Sequence, residues 1–116
     1  EVGDGTVPFA AVSSLAHTLG IEARDLLAVV GMTARTATRR KAEGVLTADE
    51  ADRLLRIARV LEEATRVFGG LDKAALWLRT PSPMLGDTMP YRLLDSDAGA
   101  KAVSDELIRI DFGDFA

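Results

Sequence analysis

Residues 47–70, TADEADRLLRIARVLEEATRVFGG, read as one long amphipathic helix. Thr47 and Glu50 form a capping box: the hydroxyl caps the first turn and the carboxylate reaches back to the threonine amide. Leu54, Ile57, Ala58, Leu61, Ala64 and Phe68 then recur at helical spacing, with Arg53, Arg56, Arg59, Glu62 and Glu63 mostly elsewhere, until Gly69 and Gly70 end the run. About 21 residues at 1.5 Å each span ~30 Å. Three short helices cannot cover that length, which predicts a homodimer along Leu54, Leu61 and Phe68.

On the N-terminal side, Pro8 opens a first helix with Phe9, Val12, Leu15 and Ala16 on one face, ended by Gly20. A second runs from about Glu22 to Val30 with Leu26, Leu27 and Val30 inward, and Gly31 forms its C-terminal turn. A third spans Thr33 to Ala42 and stops at Gly44. On the C-terminal side, Leu71–Leu78 makes a short helix that carries a buried Trp77. Pro81 and Pro83 end it, because proline lacks the amide donor and restricts the residue before it. The stretch Thr80–Pro90 is the main internal boundary, and Asp97 caps a last helix with Val103, Leu107 and Ile110. No stretch alternates β-branched and polar residues, so the fold class is all-α, divided into a helix-turn-helix bundle, residues 1–46, a central dimerising part, 47–79, and a small helical domain, 80–116.

The chain has 116 residues, 47% hydrophobic and 28% charged, an ordinary globular composition that fits one compact domain or two small helical lobes sharing a core. Zero cysteines remove disulfide, iron–sulfur and thiol chemistry and suit a reducing compartment, the cytoplasm. The net charge of −4 argues against a generally cationic binder of nucleic acid or membrane. The longest uncharged run, Gly5–Ile21, contains five hydroxyl or imidazole residues and is neither a membrane span nor a secretory signal. A first residue of Glu1 rather than methionine leads us to expect a longer N-terminus.

The second and third helices, joined at Gly31, have the outline of a helix-turn-helix. Between Gly31 and Ala42 stand Arg35, Arg39, Arg40 and Lys41 with no acid, a local +4 inside a −4 protein. Such a stripe, with Thr36, contacts phosphates while guanidinium forks read guanine edges; the bland alternative is a solvated helix face. Leu27 stands where a small residue is usual and opens the inter-helix angle, and Arg40 stands where an apolar residue is common. Catalysis has little to work with. His17 is the only histidine, the pairs Asp49/Glu50, Glu62/Glu63 and Asp105/Glu106 point apart on helices, and Gly69-Gly70 lacks the Lys-Ser/Thr of a phosphate loop. No cofactor or metal is expected. Phe112 and Phe115 follow the last helix, where they either fold back on the core or bind a partner.

The order of TATRRK at 36–41, Gly44-x-Leu46-Thr47-x-x-Glu50, DRLLRIAR at 52–59 and Ala64-x-x-Val67-Phe68-Gly69 resembles the Xre/MbcA/ParS-like antitoxins. So do KAALWL at 73–78, Pro81-x-Pro83-x-Leu85-Gly86, Pro90-x-x-Leu93-Leu94-Asp95, Gly99-x-x-x-Val103 and Arg109-Ile110-x-x-Gly113. The resemblance implies a type II antitoxin without enzymatic activity. Its Cro-like N-terminal part binds operator DNA and represses the operon, and its central helical part dimerises. Its C-terminal domain blocks a RES-domain toxin that consumes NAD. By position, Pro90, Leu93, Leu94, Asp95, Arg109, Asp111, Phe112, Gly113, Asp114 and Phe115 are toxin-facing candidates, and neutralisation is expected to reside after Thr80 and to survive loss of the helix-turn-helix. The family often has threonine at Ser96, which keeps the hydroxyl. The alternative is a dimeric helix-turn-helix transcription regulator without a toxin partner.

Overall fold

The computed structural model describes residues 6–113; Asp114 and Phe115, two of the expected toxin-facing residues, lie outside them. Six α-helices follow in order: α1 (Ala10–Leu19), α2 (Ala23–Val30), α3 (Ala34–Glu43), α4 (Ala48–Phe68), α5 (Leu71–Leu78) and α6 (Asp97–Asp111). Short 3-10 turns at Pro83–Leu85 and Pro90–Asp95 join α5 to α6. Among the described residues there is no strand, only isolated bridges between Pro8 and Val45 and between Ser82 and Thr88.

The expected start of α4 is present in full: Thr47 Oγ1 accepts from the Glu50 amide and the Glu50 carboxylate accepts from the Thr47 amide at 2.9 Å. Glu50 does more than cap. Its two carboxylate oxygens also accept from Arg40 Nε and Nη2, both at 2.7 Å, and Arg40 Nη1 reaches Glu43 at 2.9 Å. Arg40 and Glu50 are both buried, so this forked pair bolts α3 to the first turn of α4 inside the protein. The Arg40 guanidinium holds the Glu50 carboxyl down at about 2, and Glu50 in turn keeps Arg40 more firmly protonated than usual.

α4 is the axis on which the other elements pack, and it is covered differently from expectation. Leu54 and Leu61 are only 4% and 6% exposed within a single chain, so they close its own core and do not form a dimer seam. Phe68 is half-buried against the half-buried Trp77, ring centroids 5.6 Å apart. The cover comes from α5, α6, α2 and the Pro90–Asp95 turn, elements on both sides of the expected boundary. One apolar cluster runs from Val12, Leu26 and Val30 through Ile57 to Tyr91, Leu94, Val103 and Leu107. Thr80–Pro90 is a loop, but it does not separate two cores. Polar ties reinforce this: Arg53 Nη1 donates to the Val30 carbonyl at 3.2 Å, and Arg56 donates to the Leu94 carbonyl at 3.2 Å while pairing with Asp97. Ser104 donates to Glu63 at 2.9 Å, which joins α6 to α4.

The cap of α6 is also reassigned. Ser96, with extended backbone, accepts from the Gly99 amide at 3.0 Å, and Asp97 is already the first helical residue. The Ser96 hydroxyl oxygen is therefore engaged as an acceptor inside the chain. At Gly99 a Cβ would sit 1.8 Å from the Leu93 carbonyl oxygen, so only glycine lets the turn and the helix touch.

Two outcomes follow for stability. Glu50→Gln should lower the melting temperature at neutral pH by about 5–10 °C, because it removes the buried, two-pronged counter-charge of Arg40 and leaves only the half-exposed Glu43. A depressed carboxyl stabilises above its ordinary value, near 4.5, and loses that contribution as pH falls towards its folded value of about 2, so the gap between parent and variant should close over this interval. Gly99→Ala gains ~1 kcal/mol of helix propensity at most. It must also move a backbone carbonyl, which costs about 1–3 kcal/mol or more, so thermal melts should show a net loss.

Candidate binding faces

Gly31, at φ +93°, makes the left-handed turn between α2 and α3 that a side chain would strain. Thr33 then caps α3 by accepting from the Thr36 amide at 3.1 Å, and the two hydroxyls bond to each other at 3.1 Å. α3 turns Ala37 and Arg40 inward. Arg35, Thr38, Arg39, Lys41 and Ala42 are exposed, and Arg35, Arg39 and Lys41 make no ion pair with any described residue. Arg35 and Arg39, four apart, stand one above the other. The expected DNA contact at Arg40 is corrected: its guanidinium is buried and forked onto Glu50, so the exposed stripe has three cations rather than four. Thr36 is half-buried and its hydroxyl is engaged in the cap. On either side of Leu27 lie open clefts of about 250 and 410 Å³, between α2 and its neighbours α1 and α3.

The C-terminal candidates separate into supports and surface. Pro90 and Leu94 are fully buried and Gly113 is buried, so these three hold the turn and the helix end in place and do not face a partner. Tyr91, between them, is 2% exposed, and burial pushes its phenol up. Leu93 is half-buried and Asp95 exposed. Arg109 forks onto the buried Glu106, with Nε–Oε1 at 2.9 Å and Nη2–Oε2 at 2.6 Å, and these bonds raise its pKa. Asp111 meets Arg66 at 3.4 Å. Phe112 is 82% exposed at the end of α6, and so does not close the core.

Sequence reasoning missed Ile108, which is exposed one turn before Phe112 on the same face, and Met84, exposed on the turn that packs against α6. The spacing of 108 and 112 was the available signal. It also missed Arg53 and Arg56 as ties, since an arginine on an amphipathic helix carries no mark of what it reaches. His17 is exposed, and among the described residues no group of acidic and histidine side chains is placed to hold a metal. No described helix is long and apolar enough to cross a membrane.

Residues 4–59 match the family model described as the antitoxin Xre-like helix-turn-helix domain, and residues 63–113 match the antitoxin Xre/MbcA/ParS C-terminal toxin-binding domain. The chain is 38% identical over 91 residues to "Antitoxin Xre" of Photorhabdus laumondii subsp. laumondii, covering 77% of this chain and 62% of that protein. It is 36% identical over 94 residues to "Antitoxin Xre" of Yersinia enterocolitica serotype O:8, covering 79% and 64%. To "Antitoxin Xre" of Pseudomonas putida it is 37% identical over 65 residues, 56% of this chain and 41% of the relative. The chain thus spans less than two thirds of the length of these relatives. With one model on residues 4–59 and the other on 63–113, the chain belongs to the Xre/MbcA/ParS-like antitoxin family.

Proposed function

We propose that this chain is the antitoxin of a type II toxin–antitoxin pair. It acts in the cytoplasm, as a homodimer, without a cofactor or catalysis of its own. Its C-terminal face binds a RES-domain toxin and covers the site where that enzyme consumes NAD, and α3 enters the major groove of operator DNA to repress the operon. The observation that carries the reading is Phe112, 82% exposed at the end of the segment that matches the toxin-binding model. Exposed aromatic side chains, phenylalanine among them, are enriched at protein interfaces. Ile108 extends it, with Asp111 and the half-buried Arg109 as its polar margin, whereas Leu93 and Asp95 stand at the opposite end of α6, ~22 Å away at 1.5 Å per residue, as a separate contact. For DNA, support comes from Arg35, Arg39 and Lys41, exposed on one helix whose single acid, Glu43, stands at its C-terminal end and pairs with Arg40. The RES partner and its NAD chemistry rest on the family resemblance of the motifs.

Co-expression with a RES-domain toxin from the adjacent reading frame should restore growth and yield a copurifying complex. Phe112→Ala should weaken that complex by about 30-fold or more, the loss of ~2 kcal/mol typical of an aromatic anchor. Copurification with undiminished affinity would return Phe112 to an incidental surface residue. A failure to bind any such toxin, with operator binding intact, would favour the plain transcription regulator.

Replacing Arg35 and Arg39 together with alanine should abolish operator binding at physiological salt. If both touch phosphate, the slope of log affinity against log salt should fall by roughly two. Toxin neutralisation should be unchanged in the same variant. A salt titration with an unaltered slope would make the stripe a solvated face.

A further inference from the structure

We propose that a second copy of this chain docks in the apolar groove between α1 and α4, through a two-fold contact centred on Leu55. This rests on the homodimer of the proposed function and assigns it a face other than the Leu54, Leu61 and Phe68 seam. α1 packs against α2 and α5 and splays away from α4, leaving a groove of about 550 Å³. Val7, Pro8, Ala11, Leu15, Leu55 and Ala58 are among its lining residues, and no lining residue is charged. Leu55 is 45% exposed, and Val45, bridged to the lining Pro8, is 42% exposed. These are large apolar side chains left in water beside an apolar trough.

Charge selects the occupant. In a two-fold contact each patch meets its own copy, so a patch with net charge of one sign repels itself. The surface of a protein with net charge −4 and 28% charged residues is mostly unsuited to that. α1 is suited: it lies inside the uncharged run Gly5–Ile21, and its exposed Ser13, Ser14, His17 and Thr18 carry no formal charge. On α4, Asp52 and Arg59 stand two turns apart with Leu55 between them, both exposed and neither in an ion pair among the described residues. Two α4 helices crossing antiparallel at Leu55 place each Arg59 opposite the partner's Asp52, twice over by symmetry. No residue of α3 lines the groove, so Arg35 and Arg39 of both copies stay open to DNA.

The test is light scattering on the purified full chain at micromolar concentration, with circular dichroism and melting curves to certify folding. The parent should show twice the chain mass of 12.4 kDa. Leu55→Asp, at a position already wet in one chain, should stay folded and show a single chain mass, as should Ser14→Arg on the exposed flank of α1. Both should lose operator affinity by about 100-fold or more, the usual contribution of a linked second half-site. Arg59→Asp should weaken dimerisation roughly tenfold, and the double variant Asp52→Arg, Arg59→Asp should restore it. Dimers of either Leu55→Asp or Ser14→Arg, or failure of the double reversal to restore, would overturn this face while leaving the homodimer standing. A monomeric parent would overturn both and give the groove to another occupant. Toxin copurification reads the antitoxin assignment separately in every case.

Discussion

The Glu50 carboxylate accepts three hydrogen bonds from two different helices' worth of structure: one from the Thr47 amide that begins α4 and two from the Arg40 guanidinium that belongs to α3. Replacing a buried pair of this kind by well-packed apolar residues is often neutral or even stabilising, so its consequence is geometrical rather than energetic. Two parallel bonds between planar groups admit one orientation, whereas apolar contacts tolerate rotation. With Arg40 fixed, α3 has a single roll angle, and that angle sends Arg35 and Arg39 outward together. A residue whose type suggests DNA contact instead determines which of its neighbours can make one.

The same long helix orients the other face. Arg56 grips the Leu94 carbonyl and Asp97, and Gly99 lets α6 approach Leu93 within a distance no side chain permits. These constraints set where α6 starts and therefore where it ends, with Phe112 in solvent. Arg53, one turn earlier, holds the last carbonyl of α2. Neighbouring turns of α4 thus carry the supports of the α2–α3 pair and of α6.

The helices were legible because their signals are local. The capping box, the glycines after α1, α2, α3 and α4, and the prolines after α5 each act within a few residues, and the observed bounds of α5 agree with expectation to the residue and those of α4 to within its capping residues. The reading of Ser96 went to its neighbour Asp97 because both are good caps and only the backbone conformation distinguishes them. Burial was less legible. Leu54 and Leu61 fall on an apolar stripe whether the cover comes from the same chain or from another, and periodicity cannot say which. Arg40 was misplaced for the opposite reason: a charged side chain was assigned to the surface, and the partner that lets it be buried stands ten residues away across a turn.

The shared core also limits how far the two proposed activities can be separated. The family models meet near the middle of α4, between residues 59 and 63, yet no structural division exists there, because Ile57 and Leu61 lie in one cluster with Leu26 on one side and Leu94 and Leu107 on the other. A piece that begins after Thr80 would leave Tyr91, Leu94, Val103 and Leu107 without the α2 and α4 side chains that bury them, and would lose the Arg56 grip on Leu94 as well. The geometry therefore speaks against a toxin-binding part that acts once the helix-turn-helix is removed. Independence of the two activities belongs to surfaces, not to segments: Arg35 and Arg39 can be changed without touching α6, and Phe112 without touching α3, but no cut along the chain leaves either face its support.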